Sequence, residues 1–247
     1  MRKFKLLIMV AVLLGAACKK SYTPPVTITT NVTNAEAADM AAGAVSLNSN
    51  GVANVSDDAS LTATAYVALH LPCGTTKSDS LSRTSAPGAT RLYSYSLKYS
   101  YTLNCNANNI PDNLTGSLIY GGNFNGPNIS SANSGTANFT IAGLSPTANN
   151  YVINGEYKRT GTFQSKVDTS NHGNSSITIA IAALTVKKTT RAILSGTGTV
   201  TITGTVPKKG AFSYTGALVF NGDGTASLTV NGTVYRIDLA TGVRTKL

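Results

Sequence analysis

Tryptophan is absent from the 247 residues, histidine occurs twice, and aspartate and glutamate together number ten. Such a short supply of ligands and proton-transfer groups narrows the chemistry. One histidine stands three residues before a cysteine, in His70-Leu71-Pro72-Cys73, but His172 is far away and the spacing matches no structural zinc site. Most of the acidic residues fall at turns or helix starts, where carboxylates bond local amides. Glu156 and Asp168 lie in or beside strands, yet no second carboxylate is placed to form a glycosidase pair. Ser195-Gly196-Thr197-Gly198 lacks the preceding glycine of a nucleophile elbow. Asn221-Gly222-Asp223-Gly224 would need glycine at the sixth position to resemble a calcium loop, and Ala226 is there. The expectation is therefore a non-enzymatic protein with no catalytic residue, no metal and no cofactor. A long apolar run is missing too. The longest, Leu6 to Leu14, has less than half of the ~20 residues that a membrane-spanning helix needs.

That short run has a context. Arg2, Lys3 and Lys5 precede it, and Gly15, Ala16 and Ala17 follow it, which is the pattern of a cleaved export signal. Cys18 comes directly after the small residues, and Leu13-Leu14-Gly15-Ala16-Ala17-Cys18 resembles the lipobox of bacterial lipoprotein signals, with Gly15 where that family most often has leucine. The resemblance implies that the signal over residues 1–17 is removed, that the Cys18 thiol carries a diacylglyceryl group and that the new amine is acylated. Two or three acyl chains hold a protein firmly, since each buried CH₂ contributes ~0.8 kcal/mol. Lys19 follows the cysteine where an aspartate would favour the inner membrane, so the resemblance implies the outer membrane of a Gram-negative cell envelope. The covalent lipid is the only attached group expected.

Residues 18–33, with Pro24-Pro25, read as an extended tether. Residues 34–247 read as a single domain. Loss of the signal removes three of the 20 Lys and Arg residues and lowers the net charge of +10 by three. The remaining charges are scattered rather than clustered on one face, which argues against nucleic acid as a partner. The expected partners are the membrane, through the lipid, and an envelope protein or polysaccharide.

Ala35 to Leu47 is alanine-rich and favours a helix, with Asn34 as its cap. Asn48 to Asn54 reads as a polar connection. Between residues 55 and 72 two readings stand: a helix capped by Asp57-Asp58, or a strand suited to Thr62, Thr64, Tyr66 and Val67. From Arg91 the period becomes two. Tyr93, Tyr95, Leu97, Tyr99, Tyr101, Leu103 and Cys105 alternate with small polar residues. Further strands are expected over Asp112–Phe124, Ser131–Ala142, Tyr151–Lys166, Ser175–Lys187, Arg191–Val206, Ala211–Asn221, Thr225–Val230 and Thr233–Ala240. Asn221-Gly222-Asp223-Gly224 and Asn231-Gly232 predict tight hairpins. Strands this long must curl, and the glycines within them (Gly116, Gly135, Gly155, Gly161, Gly196, Gly198, Gly204 and Gly216) are suitable places. The fold class is mainly β: a large antiparallel meander curved into a half-barrel or barrel-like sheet, with the short N-terminal alanine-rich helix packed against it. A membrane-embedded barrel would need a continuously apolar outer face, and here one face is rich in Thr and Ser.

Three readings concern particular side chains. Cys73 and Cys105, an even pair in an exported chain, form a disulfide. The row Tyr93, Tyr95, Tyr99 and Tyr101 is either a packed wall of the sheet core or a stacking face for an apolar or glycan ligand in the concave side. Asp79-Ser80-Leu81 resembles a site at which some bacteria O-glycosylate exported proteins.

Overall fold

The computed structural model describes residues 32–89 and 91–247. The signal segment, Cys18 and almost all of the tether lie outside these residues.

Eleven strands follow one another in a single antiparallel sheet whose spatial order equals the chain order. They are β1 (Thr76–Thr84), β2 (Leu92–Cys105), β3 (Pro111–Asn125), β4 (Ile129–Ala142), β5 (Asn150–Ser165), β6 (His172–Lys187), β7 (Ile193–Val206), β8 (Gly210–Phe220), β9 (Thr225–Val230), β10 (Thr233–Asp238) and β11 (Arg244–Lys246). Nine of these match the expected runs to within a few residues. The first and last carry too little apolar alternation to be read in advance. The sheet is open: β1 and β11 are its edges and do not pair with each other. It nevertheless curls, since Arg91 at the foot of β2 donates to the Thr241 carbonyl beyond β10.

Period two delivers one buried face. Tyr95, Leu97, Tyr101 and Leu103 of β2, Leu114 and Phe124 of β3, and Val200, Ile202 and Val206 of β7 are all within 3% of full burial. Aromatic rings on this face lie across glycines of the neighbouring strand. A Cβ on Gly116 would stand 2.3 Å from the Phe139 ring, and one on Gly135 would stand 2.4 Å from the Tyr120 hydroxyl. These glycines give the rings room to lie flat on the sheet. The main irregularity is a bulge in β6 centred on Ala183: Ala182-Ala183 opposes the single residue Asn154 of β5, and Ala183-Leu184 opposes the single residue Gly196 of β7. Ala183 takes φ 50°, and its N–H is satisfied by Asn154 Oδ1 at 2.8 Å. The inward phase therefore moves from Ile177 and Ile179 to Leu184 and Val186.

Two helices fill the concave side. α1 (Asn34–Val45) is capped by Thr33 rather than Asn34: the Thr33 hydroxyl accepts from the Glu36 N–H at 3.1 Å, while the Glu36 carboxylate accepts from the Thr33 N–H at 2.9 Å. A 3-10 turn over Leu47–Ser49 leads to α2 (Val52–Ala68). This resolves residues 55–68 in favour of a helix, with turn and loop over 69–72, but the helix is capped at Gly51, six residues before Asp57. The two aspartates do not cap it; they lie within it and reach arginines elsewhere. Residues buried on α2 are Val52, Ala53, Val55, Ser56, Ala59, Ser60, Ala63 and Tyr66, a helical period made mostly of small side chains. Together with the alanines of α1 they let two helices fit within one curl of sheet.

Both edges are fastened to this helical insert. Arg83 of β1 reaches Asp58 and Asn54 of α2. Arg244 of β11 reaches Asp39 of α1 at 2.8 Å. Burial raises the pKa of both carboxyls, against the lowering influence of the arginines.

Candidate functional site

The concave face of a curved sheet is the natural place for a ligand, and the tyrosines of β2 lie on it. Tyr95 and Tyr101 are buried, and Tyr93 and Tyr99 are half-buried. Tyr66 of α2 covers this end of the row, its hydroxyl donating to the Tyr101 carbonyl at 2.9 Å. Burial pushes the Tyr101 phenol well above its ordinary value. Tyr99 turns its hydroxyl to Asp79 of β1 at 3.3 Å. Contacts within the row are mainly edge to face or tilted, as between Tyr99 and Tyr101. α2 thus occupies the space over the Tyr101 end of the row.

The centre of the face holds a residue that alternation alone did not reveal. Arg159 occupies an inward position of β5, between Tyr157 and Phe163, and is 4% exposed. Its guanidinium donates from Nη1 to the Gly43 carbonyl at 2.8 Å, from Nη2 to the Ser49 carbonyl, and from both Nε and Nη2 to the Tyr157 hydroxyl, at 3.1 and 2.7 Å. Tyr157 in turn donates to the Asn50 carbonyl at 2.8 Å and accepts from Tyr120 at 2.6 Å. Among the described residues no carboxylate is bonded to Arg159. The compensating negative potential comes from carbonyls at the end of α1 and in the 3-10 turn, where helix dipoles favour a cation. Burial alone would weaken the hold on the proton, yet the oxygens of Tyr157, Tyr120 and Tyr95 outweigh it and raise the Arg159 pKa. Burial likewise pushes Tyr157 and Tyr120 up. The sequence signal for Arg159 was its phase: a charged residue in register with the buried row of its own strand.

A second anchor lies at the start of α1. Glu36, 4% exposed, accepts twice from the Asn171 amide of the β5–β6 turn at 3.0 Å. Burial works to raise its pKa, but the bonds from Thr33, Asn171 and Ser165 together lower it. Chemically, Arg159 and Glu36 hold one helix at its two ends.

The remaining candidates are dispersed. Cys73 and Cys105 form a disulfide with Cα atoms 5.6 Å apart, joining the loop after α2 to the end of β2. His70 is exposed at φ 47° and His172 sits at the start of β6. Among the described residues no group of three or more His, Cys, Asp or Glu is placed to hold a metal. Asp223 of the Asn221–Gly224 turn accepts from the Thr225 N–H and hydroxyl, at 3.0 and 2.5 Å, which is the work of a hairpin turn. Ser80 lies on the edge strand β1 and is exposed. No family model, curated protein or solved structure matches the chain.

Proposed function

We propose that the chain is an exported lipoprotein of the cell envelope, held to the outer membrane through acyl chains on Cys18, whose folded body has a structural or interaction role rather than a catalytic one. Its partners on this reading are the membrane itself and an envelope protein or polysaccharide met by the sheet's outer surface. The observation that carries the reading is Cys18 directly after the small residues of an export signal, Leu13-Leu14-Gly15-Ala16-Ala17. The fold is consistent with it: most of the concave side is taken up by the chain's own helices, which leaves the outer face, the edges and one end of the curl as the surfaces available to a partner. No described helix is long and apolar enough to cross a membrane.

Replacement of Cys18 by serine tests the anchor. The parent is expected in the membrane fraction, with incorporation of labelled palmitate; Cys18→Ser is expected to lose the label and to leave that fraction while its domain keeps the same melting curve. Equal labelling of the variant, or its retention in the membrane, would defeat the proposal.

A further inference from the structure

At one end of the curl, beyond the last turn of α2, the helical filling stops short and leaves an apolar cavity of about 450 Å³. That lies within the ~300 to 1,000 Å³ usual for small-ligand sites. Three segments wall it: the end of α2 with the loop to Cys73, the β2–β3 turn around Ile110, and the β4–β5 connection around Leu144 and Ser145. Leu103 and Leu144 are its buried floor at 1% exposure each, and Val67 and Leu71 form a side. The walls are fixed to one another. The disulfide ties the α2 loop to β2, and the same loop is stitched to Leu103 by Gly74 N–H to Leu103 O at 2.8 Å and Leu103 N–H to Thr75 O at 2.9 Å.

The charges near the mouth are of one dominant sign. The Lys188 ammonium donates to the Ser145 carbonyl at 2.7 Å and lies 5.0 Å from the Tyr151 ring. Partial burial lowers its pKa, as expected of an ammonium short of water. Lys77 stands 5.8 Å from the centre of the ring of Tyr66, which lines the cavity. The neighbouring carboxylate, Asp112 beside Pro111, already accepts from Asn113 Nδ2 at 2.8 Å. An apolar floor with cations at its rim matches a molecule with a compact apolar body and an anionic head. We propose that this cavity binds a medium-chain carboxylate, its alkyl chain against Leu103, Leu144, Val67 and Leu71 and its head toward Lys188. The proposal rests on the fold alone and is independent of the lipid anchor.

Titration of the purified protein with decanoate, decanol and decyltrimethylammonium, each below its micelle concentration and followed calorimetrically, tests it. Saturable one-to-one binding is expected, tightest for decanoate and weakest for the cation. Lys188→Gln is expected to weaken decanoate about two- to five-fold, the range of a solvent-accessible ion pair, and to leave decanol unchanged. Ile110→Glu, at a position 55% exposed and therefore tolerant of substitution, is expected to weaken decanoate further by adding a like charge at the mouth. Non-saturable uptake, decanol binding as tightly as decanoate, or decanoate affinity unmoved in both variants would overturn the proposal.

Discussion

Arg159 is the residue whose removal most sharply tests the account of how helices and sheet are joined. Burying a cation without a carboxylate is costly, and replacement of buried ionic groups by apolar ones is often neutral or stabilising. On that argument alone Arg159→Met would be harmless. The geometry predicts otherwise, because the Gly43 and Ser49 carbonyls would lose their partner in a place water reaches poorly, and each orphaned acceptor costs ~1 to 3 kcal/mol. Set against relief of part of the desolvation penalty of the guanidinium, a net loss of about 3 kcal/mol is expected. For a domain of this size that corresponds to a fall in melting temperature of about 6 to 12 °C. Arg159→Lys should lose somewhat less, since an ammonium still gives one carbonyl a donor, but it should still lose, since it cannot span both as the planar fork does. Urea unfolding followed by circular dichroism gives the stability. Hydrogen exchange at the amides of Ala44 to Val52 reports whether the loss is felt at the helix junction. An Arg159→Met protein as stable as the parent, with unchanged exchange in that junction, would refute the reasoning.

Burial raises the phenol pKa values of Tyr101, Tyr120 and Tyr157. Their contribution is thus complete below the unfolded value of ~10 and falls above it at about 1.4 kcal/mol per pH unit each. Alkaline unfolding should accordingly be steep, with their phenolate absorbance rising together with loss of circular dichroism; absorbance from all eleven tyrosines at ~pH 10 in a folded protein would contradict this. Leu97→Ala, at a side chain 2% exposed in the middle of β2, should cost ~2 to 5 kcal/mol in the same urea assay, and a loss below that range would mean the face is loosely packed. The disulfide links residues 32 apart, and the double serine variant should lose about 3 to 4 kcal/mol by chain entropy; two thiols titrating freely in protein purified without reductant would show that the bond is not formed in solution.

Most of the sheet was legible because its signal is local. Period two, as in Tyr93 to Cys105, and Asn-Gly turns are read from a few adjacent residues, and Asn231 and Gly232 indeed take φ 46° and 76°. Even the bulge in β6 leaves a trace, since the apolar row passes from odd positions at Ile177, Ile179 and Ile181 to even ones at Leu184 and Val186; expecting the bulges at glycines obscured it. What was not legible depends on distant partners. α2 hid because its buried stripe is built of alanine and serine, and because Thr62, Thr64, Tyr66 and Val67 favour strands when read alone. β1 hid because its inward side carries Lys77, Asp79 and Arg83, whose partners are Tyr66, Tyr99 and Asp58. Arg159 belongs to the same class. Its phase was visible, but the carbonyls that make its burial tolerable lie more than a hundred residues away.

The unbroken meander bears on how such a chain assembles when it emerges one segment at a time, as the proposed export would require. Each strand finds its partner in the strand that emerged just before it, so no hairpin waits for a distant stretch of sequence. The helices arrive ahead of the whole sheet, and the contacts that seat them come in stages: first from β1 and β2, through Arg83 and the Tyr101 carbonyl, then from β5 through Arg159 and, last of all, from β11 through Arg244. Until that last strand is in place, α1 is only partly seated and its alanine face is only partly covered.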